Sequence, residues 1–198
     1  MPERIEGLKT RAGTAADKAA IMHILAETPE FTPAEVVVAE EVLDCYLNDP
    51  VQSGYYVLVA DIADKVAGYI CYGPTPLTES TWDIYWMATA PALKNHGIGK
   101  TLLALAEETI KARGGCLILI ETSSQPSYEN TRGFYQARDY EIVSTIPDFY
   151  APGDDLIIFQ KRYNSTSFLS STSMILNISS IWSSPSILWN IRMTSAIR

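Results

Sequence analysis

Lys94-Asn95-His96-Gly97-Ile98-Gly99-Lys100-Thr101 joins an apolar run, Asp83 to Ala90, to a segment that carries Leu102, Leu103, Leu105, Ala106 and Ile110 at helical spacing. A strand–glycine–helix junction of this kind binds anions. The first N–H groups of a helix have no intrahelical partner, and the helix dipole puts partial positive charge at that end. Gly97 and Gly99 lack Cβ and let a phosphate approach the backbone, while Lys94 and Lys100 add charge. Two carboxylates could move protons beside it: Asp83 near the start of the strand, and Glu121 at the end of Cys116-Leu-Ile-Leu-Ile120. By strict alternation Asp83, Tyr85, Met87 and Thr89 share one side of their strand.

The phosphate could belong to a nucleoside triphosphate. Gly99-Lys100-Thr101 ends like a P-loop, and Leu117–Glu121 could supply the acidic strand that holds magnesium. That motif needs its first glycine at position 94, where Lys94 stands, so the triphosphate reading is the weaker one.

The elements that must position these groups alternate in type. Leu8–Ala12 reads as a short strand. Thr14 with Asp17 opens a helix from Ala15 to Glu27, and Thr32-Pro33-Ala34-Glu35 combines a capping box with proline at the first helical position, for a helix to about Asn48. Tyr55–Ala60 and Val66–Tyr72 form a hairpin across Asp61–Lys65. Trp82–Ala90 is a strand, and Trp82 and Trp86 are packing residues on it. Gly114-Gly115 closes the helix after the junction. Cys116–Ile120 is continuous enough to be buried on both faces. A short helix, Tyr128–Ala137, precedes strands Glu141–Ile146 and Leu156–Lys161, with Ile146–Asp155 as their connecting loop. The pattern is mixed α/β.

Composition bounds the partners. The chain has 198 residues and a formal charge of −8, room for one domain and an appendage. That charge excludes the basic footprint of a nucleic-acid binder and suits a cationic acceptor. Cys45, Cys71 and Cys116 are an odd number at no metal-like spacing, so reduced thiols, a cytoplasmic location and no metal are expected. His23 is given no role. The first residues have no apolar signal core, and no run of about 18 apolar residues offers a membrane span. From Tyr163 onward the chain turns Ser-rich, with Arg192 and Arg198 as its only charges. Residues 163–198 therefore read as an extension poorly coupled to a domain at 1–162; an oligomer contact through Trp182 and Trp189, as in a homodimer, is a lesser alternative.

The junction and a second motif, Asn130-Thr-Arg-Gly-Phe134-Tyr135 ahead of Asp139-Tyr140, come in the order and at the places where the GNAT superfamily of N-acetyltransferases carries its signatures. The chain resembles that superfamily over roughly Leu8 to Arg162. Lys94 stands where Gln or Arg is usual, losing planar geometry, and Asp139 replaces a common glycine. The resemblance implies a GNAT fold with a mostly antiparallel central sheet flanked by helices, and direct transfer of acetyl from acetyl-CoA to a primary amine. It assigns the coenzyme A pyrophosphate to Lys94, Asn95, His96, Gly97, Ile98, Gly99 and Lys100, and the pantetheine arm to Met87, Ala88, Thr89 and Asn130. It implies Tyr135 as general acid and Glu121 or Asp83 as base, with Asp148, Tyr150, Asp154 or Asp155 meeting a cationic amine. A non-catalytic acyl-CoA-binding regulatory module is the alternative, disfavoured by the presence of Tyr135 and two candidate bases.

Overall fold

The computed structural model describes residues 7–163. Eleven elements follow in order: β1 (Lys9–Ala12), α1 (Lys18–Glu27), α2 (Pro33–Asn48), β2 (Tyr56–Ile62), β3 (Lys65–Pro74), β4 (Thr81–Thr89), α3 (Ile98–Ala112), β5 (Leu117–Ser123), α4 (Glu129–Gln136), β6 (Glu141–Ala151) and β7 (Asp154–Arg162). The strands make one sheet in the order β1-β2-β3-β4-β5-β7-β6. Only β4 and β5 run parallel; every other neighbouring pair is antiparallel. Apolar side chains of α3 and α4 cover one face, those of α1 and α2 the other, giving two cores separated by the sheet.

Local chemistry sets the helix starts. Thr32 accepts the Glu35 N–H, Glu35 Oε2 accepts the Thr32 N–H at 2.7 Å, and Pro33 occupies the first turn. Asp17 closes the corresponding box on Thr14, but the turn Ala15–Asp17 is a 3₁₀ helix and α1 begins at Lys18. Asp17 also receives both terminal nitrogens of Arg11, at 2.7 and 2.8 Å, while Arg11 Nε donates to Asp61 at 2.6 Å. Those contacts tie β1 and β2 to the head of α1.

Three strand readings change. The β2–β3 connection is only Ala63-Asp64, both at positive φ, so the hairpin is tighter than Asp61–Lys65. Strand β5 alternates: Ile118 and Ile120 are buried, whereas Glu121 is exposed and lies inside the strand, before Ser123. Strand β6 runs through most of the expected loop. Among the described residues it pairs only with β7, so Pro147 costs no ladder bond on its other side, and Pro147–Tyr150 bulge out between the pairs Ile146–Leu156 and Ala151–Asp154. Asp148 Oδ1 accepts the Gly153 N–H and Asp155 Oδ1 accepts the Asp148 N–H, at 2.6 and 2.9 Å, which fixes the bulge.

The parallel register of β4 and β5 spans Thr81–Leu117 to Ile84–Ile120 and stops there. Beyond it β4 keeps β3 as partner and β5 keeps β7, so the two strands part and leave a fork in the sheet. The Ser-rich stretch lies outside the described residues except for Tyr163, whose N–H donates to Cys116 O at 2.8 Å and whose ring stands 4.7 Å from the Lys111 ammonium.

Candidate active site

Gly97 caps α3 at φ 84°, ψ 0°, a conformation open to glycine, and Asn95 is left-handed too at φ 67°. The first helical bond is Thr101 N–H to Gly97 O, 3.0 Å. The backbone N–H groups from Asn95 to Lys100 donate to no described residue, and they surround the positive end of a 15-residue helix. Close packing places that end beside the fork: a Cβ on Gly68 of β3 would stand 2.9 Å from both Ala88 O and Ile98 Cγ2. His96 is exposed with Nδ1 2.9 Å from Lys94 O, and Lys100 is exposed. Lys94 has a partner the sequence did not suggest. Its ammonium donates to both carboxylate oxygens of Glu30, at 2.8 and 3.0 Å.

A bulge decides which way β4 points its side chains. Cys71 faces Trp86 and Tyr72 faces Ile84, so Tyr85 is an extra residue in the ladder. Trp82 and Ile84 pack toward α3, as does Met87, while Tyr85, Trp86 and Ala88 pack toward α1 and α2. Strict alternation therefore fails at Tyr85. Asp83 lies on the α1–α2 face with Tyr85, not on the face of Met87 and Thr89 as alternation implied.

Glu121 follows Ile120, the last β5 residue paired with β4, and so stands at the crotch of the fork. It alternates with buried Ile118 and Ile120 and shares the face of Asp83. Partial desolvation by the surrounding protein raises both carboxyl pKa values, even though Glu121 keeps contact with solvent, and the Asp83 charge raises that of Glu121 further. Thr75 Oγ1 donates to Asp83 Oδ2 at 2.6 Å, which opposes the rise. On the opposite face Tyr135 of α4 is buried against Tyr140, Phe159 and Phe134. Burial pushes its phenol well above the usual value, with the nearby Arg138 charge acting the other way. Its hydroxyl pairs with no described residue. Asn130, in the first turn of α4, is exposed.

A profile of the acetyltransferase (GNAT) family matches residues 19–140. A crystal structure of an acetyltransferase assigned to that family from Desulfovibrio desulfuricans is 36% identical, covering 78% of this chain and 98% of its own, with a TM-score of 0.76. The chain belongs to the GNAT acetyltransferase family. Membership bears out the mixed α/β fold, the acetyltransferase activity and acetyl-CoA as donor that the two motifs implied. The ribosomal-protein-alanine N-acetyltransferase of Brucella melitensis is 25% identical over 78% of this chain and 99% of its own, TM-score 0.65. The PaiA N-acetyltransferase of Thermoplasma acidophilum, solved with coenzyme A, shares the fold at 16% identity over 79% of this chain and 99% of its own, TM-score 0.63. A search of curated protein sequences returns no match.

The fold sets Gly99 against Phe134 and Thr89, places Glu121 where β5 leaves β4, and packs Tyr135 against Phe159, the β7 partner of Ile120. It divides the hairpin residues expected to meet an amine: Tyr150 lies within reach of the Glu121 and Glu35 charges, whereas the three aspartates have hydrogen-bond partners of their own. Asp148 and Asp155 are spent on the bulge, and Asp154 Oδ1 accepts Ser123 Oγ at 2.5 Å. Tyr150 is half-buried, and the charges of Glu121, Glu35 and Asp154 raise its pKa further after burial has done so. Two residues at the site carry no sequence signal for it: Tyr128 and Glu35, 93 positions apart, meet at 3.4 Å. Cys71 is buried and its thiol is pushed up, which disfavours the thiolate a nucleophile needs. Among the described residues, no group of three or more His, Cys, Asp and Glu is placed to hold a metal ion, and no helix is long and apolar enough to cross a membrane.

Proposed function

We propose that this GNAT enzyme transfers acetyl from acetyl-CoA directly to a primary, cationic amine that enters from the α1–α2 face. The observation that carries the reading is the run of undonated N–H groups from Asn95 to Lys100 beside the open edge of β4. Those groups hold the pyrophosphate, with Lys100 adding charge and His96 as a neighbour. The Met87–Thr89 backbone takes the amide-rich pantetheine as an added strand, and Asn130 offers its side-chain amide to the same arm. The thioester then lies at the fork, where a donor on the α3–α4 face reaches an acceptor on the other.

An amine of pKa about 10.4 costs roughly 4 to 5 kcal/mol to deprotonate at neutral pH. Glu121 takes that proton, directly or through water, its raised pKa making it a stronger base; Asp83 contributes charge at its side. The amine nitrogen attacks the thioester carbonyl, the C–S bond breaks, and Tyr135 returns a proton to the sulfur. Burial keeps that phenol protonated, so the proton is present to be given, at the cost of a weaker acid. Glu35, Glu121, Asp83, Tyr128 and Tyr150 make the acceptor side acidic and aromatic, which favours a cation. The three unpaired cysteines support a cytoplasmic location. Calorimetric titration with acetyl-CoA tests the binding half: saturable one-site binding is expected, and its absence overturns the reading.

A further inference from the structure

Lys94 occupies the first position of the pyrophosphate signature, yet two of its three ammonium donors are spent on Glu30. Glu30 lies in the loop between α1 and α2 and its side chain is only 17% exposed, so the pair is partly desolvated and geometrically fixed. Next to it, Phe31 sets its ring edge-on to Trp86, 5.6 Å between centroids, on the part of β4 that has left β5. Just past the loop, in the first turn of α2, Glu35 accepts the Thr32 N–H with one oxygen and lies 3.4 Å from the Tyr128 hydroxyl with the other. The α1–α2 loop is thus tethered to the β4–α3 bank of the fork by Lys94 and Trp86, and the head of α2 that follows it approaches the β5–α4 bank at Tyr128.

We propose that Lys94 is a positioning residue for the acceptor side, anchoring the α1–α2 loop through Glu30, and that the pyrophosphate is held by backbone N–H groups without it. This rests on the acetyltransferase reading above. A lysine is a point charge without the planar fork of the Arg usual at this position, and the Glu30 pair leaves it a single donor. The cradle from Asn95 to Lys100 already supplies donors and the helix dipole. Lys94 and Glu30 are 64 residues apart in sequence, and their pairing fixes the loop that borders the amine relative to the loop that borders the donor.

The test uses the full chain as wild type, Lys94→Met, Glu30→Gln, the double variant and the charge swap Glu30→Lys/Lys94→Glu. Coenzyme A affinity is measured by calorimetry, and amide exchange is followed at Phe31 and Val36, which close the turns on either side of Thr32. Both single variants should speed exchange there by about tenfold, the double variant no further, and the charge swap should restore slow exchange. Coenzyme A affinity of Lys94→Met should stay within about threefold of wild type, against about tenfold or more for loss of a lysine–phosphate contact. A tenfold weakening in Lys94→Met, or unchanged exchange in both single variants, overturns the proposal. Failure of the wild type to bind coenzyme A would sink the acetyltransferase reading instead, and the exchange arm would still decide whether Lys94 anchors the loop.

Discussion

Ile84 of β4 and Ile120 of β5 are the last residues of the two parallel strands to face each other in register, and Glu121 is the next residue on the far side. The hole that opens there follows from the partners each strand keeps. Antiparallel ladders to β3 and β7 hold the parting strands in place, so the fork needs no bound molecule to prop it open.

That relationship makes the pH dependence of turnover specific. Glu121 must be ionised to take a proton, so the rate should rise with pH through its raised pKa, and Glu121→Gln should lose that limb along with about 10² or more in kcat. Removing the Asp83 charge removes a cause of the rise. The limb in Asp83→Asn should therefore shift to lower pH, and pH–rate profiles of the three proteins check both statements.

The same two carboxylates cost stability. A carboxyl whose folded pKa lies above its unfolded value contributes stability below the unfolded value, and that contribution is lost as pH rises through the folded pKa. Asp83→Asn keeps an acceptor for Thr75 and has no charge to desolvate. Its thermal midpoint should exceed that of wild type at pH 7, with the gap closing toward pH 4.

Asp17 behaves in the opposite sense. The Arg11 hydrogen bonds hold it at about 2, so its stabilisation is present above the ordinary carboxylate range and is lost as pH falls through about 2. Its size is about 2 kcal/mol as an upper figure, since the Arg11 side chain is 42% exposed. Arg11→Met should flatten the acid limb of urea-unfolding stability between pH 4 and 2 and lower stability at pH 7.

The two junction glycines should respond differently to alanine. Gly97 sits at φ 84°, where a Cβ costs about 1 to 2 kcal/mol, so Gly97→Ala should lose stability and coenzyme A affinity together. A Cβ on Gly99 would stand 3.6 Å from the Phe134 ring, an ordinary contact, and alanine gains roughly 0.5 to 1 kcal/mol in a helix. Gly99→Ala should therefore melt no lower than wild type, as differential scanning calorimetry would show.

Much of this arrangement is readable in the chain because local chemistry writes it: the Thr32–Glu35 box with Pro33, the glycines that start α3, and the apolar period that follows them. What the chain conceals depends on distant partners. The Tyr85 bulge exists only in pairing with Cys71 and Tyr72, and it overturns the parity that alternation gives Asp83. Pro147 and Asp148 look like loop residues, but an edge strand tolerates both when Asp148 and Asp155 bind the bulged backbone. No spacing rule pairs Lys94 with Glu30 or Tyr128 with Glu35. Those contacts come from laying α1 and α2 across a sheet whose strands lie far away in sequence.

The central claim, acetyl transfer through the fork with Tyr135 as the acid, is tested most directly by free-thiol release from acetyl-CoA over a panel of primary amines, polyamines and peptides, with wild type and Tyr135→Phe run together. At least one cationic amine should drive thiol release matched by acetylated product. Tyr135→Phe should bind coenzyme A normally and turn over about 10² or more times slower. Full turnover in Tyr135→Phe, or no amine-dependent thiol release from a wild-type protein that binds acetyl-CoA, would contradict the account.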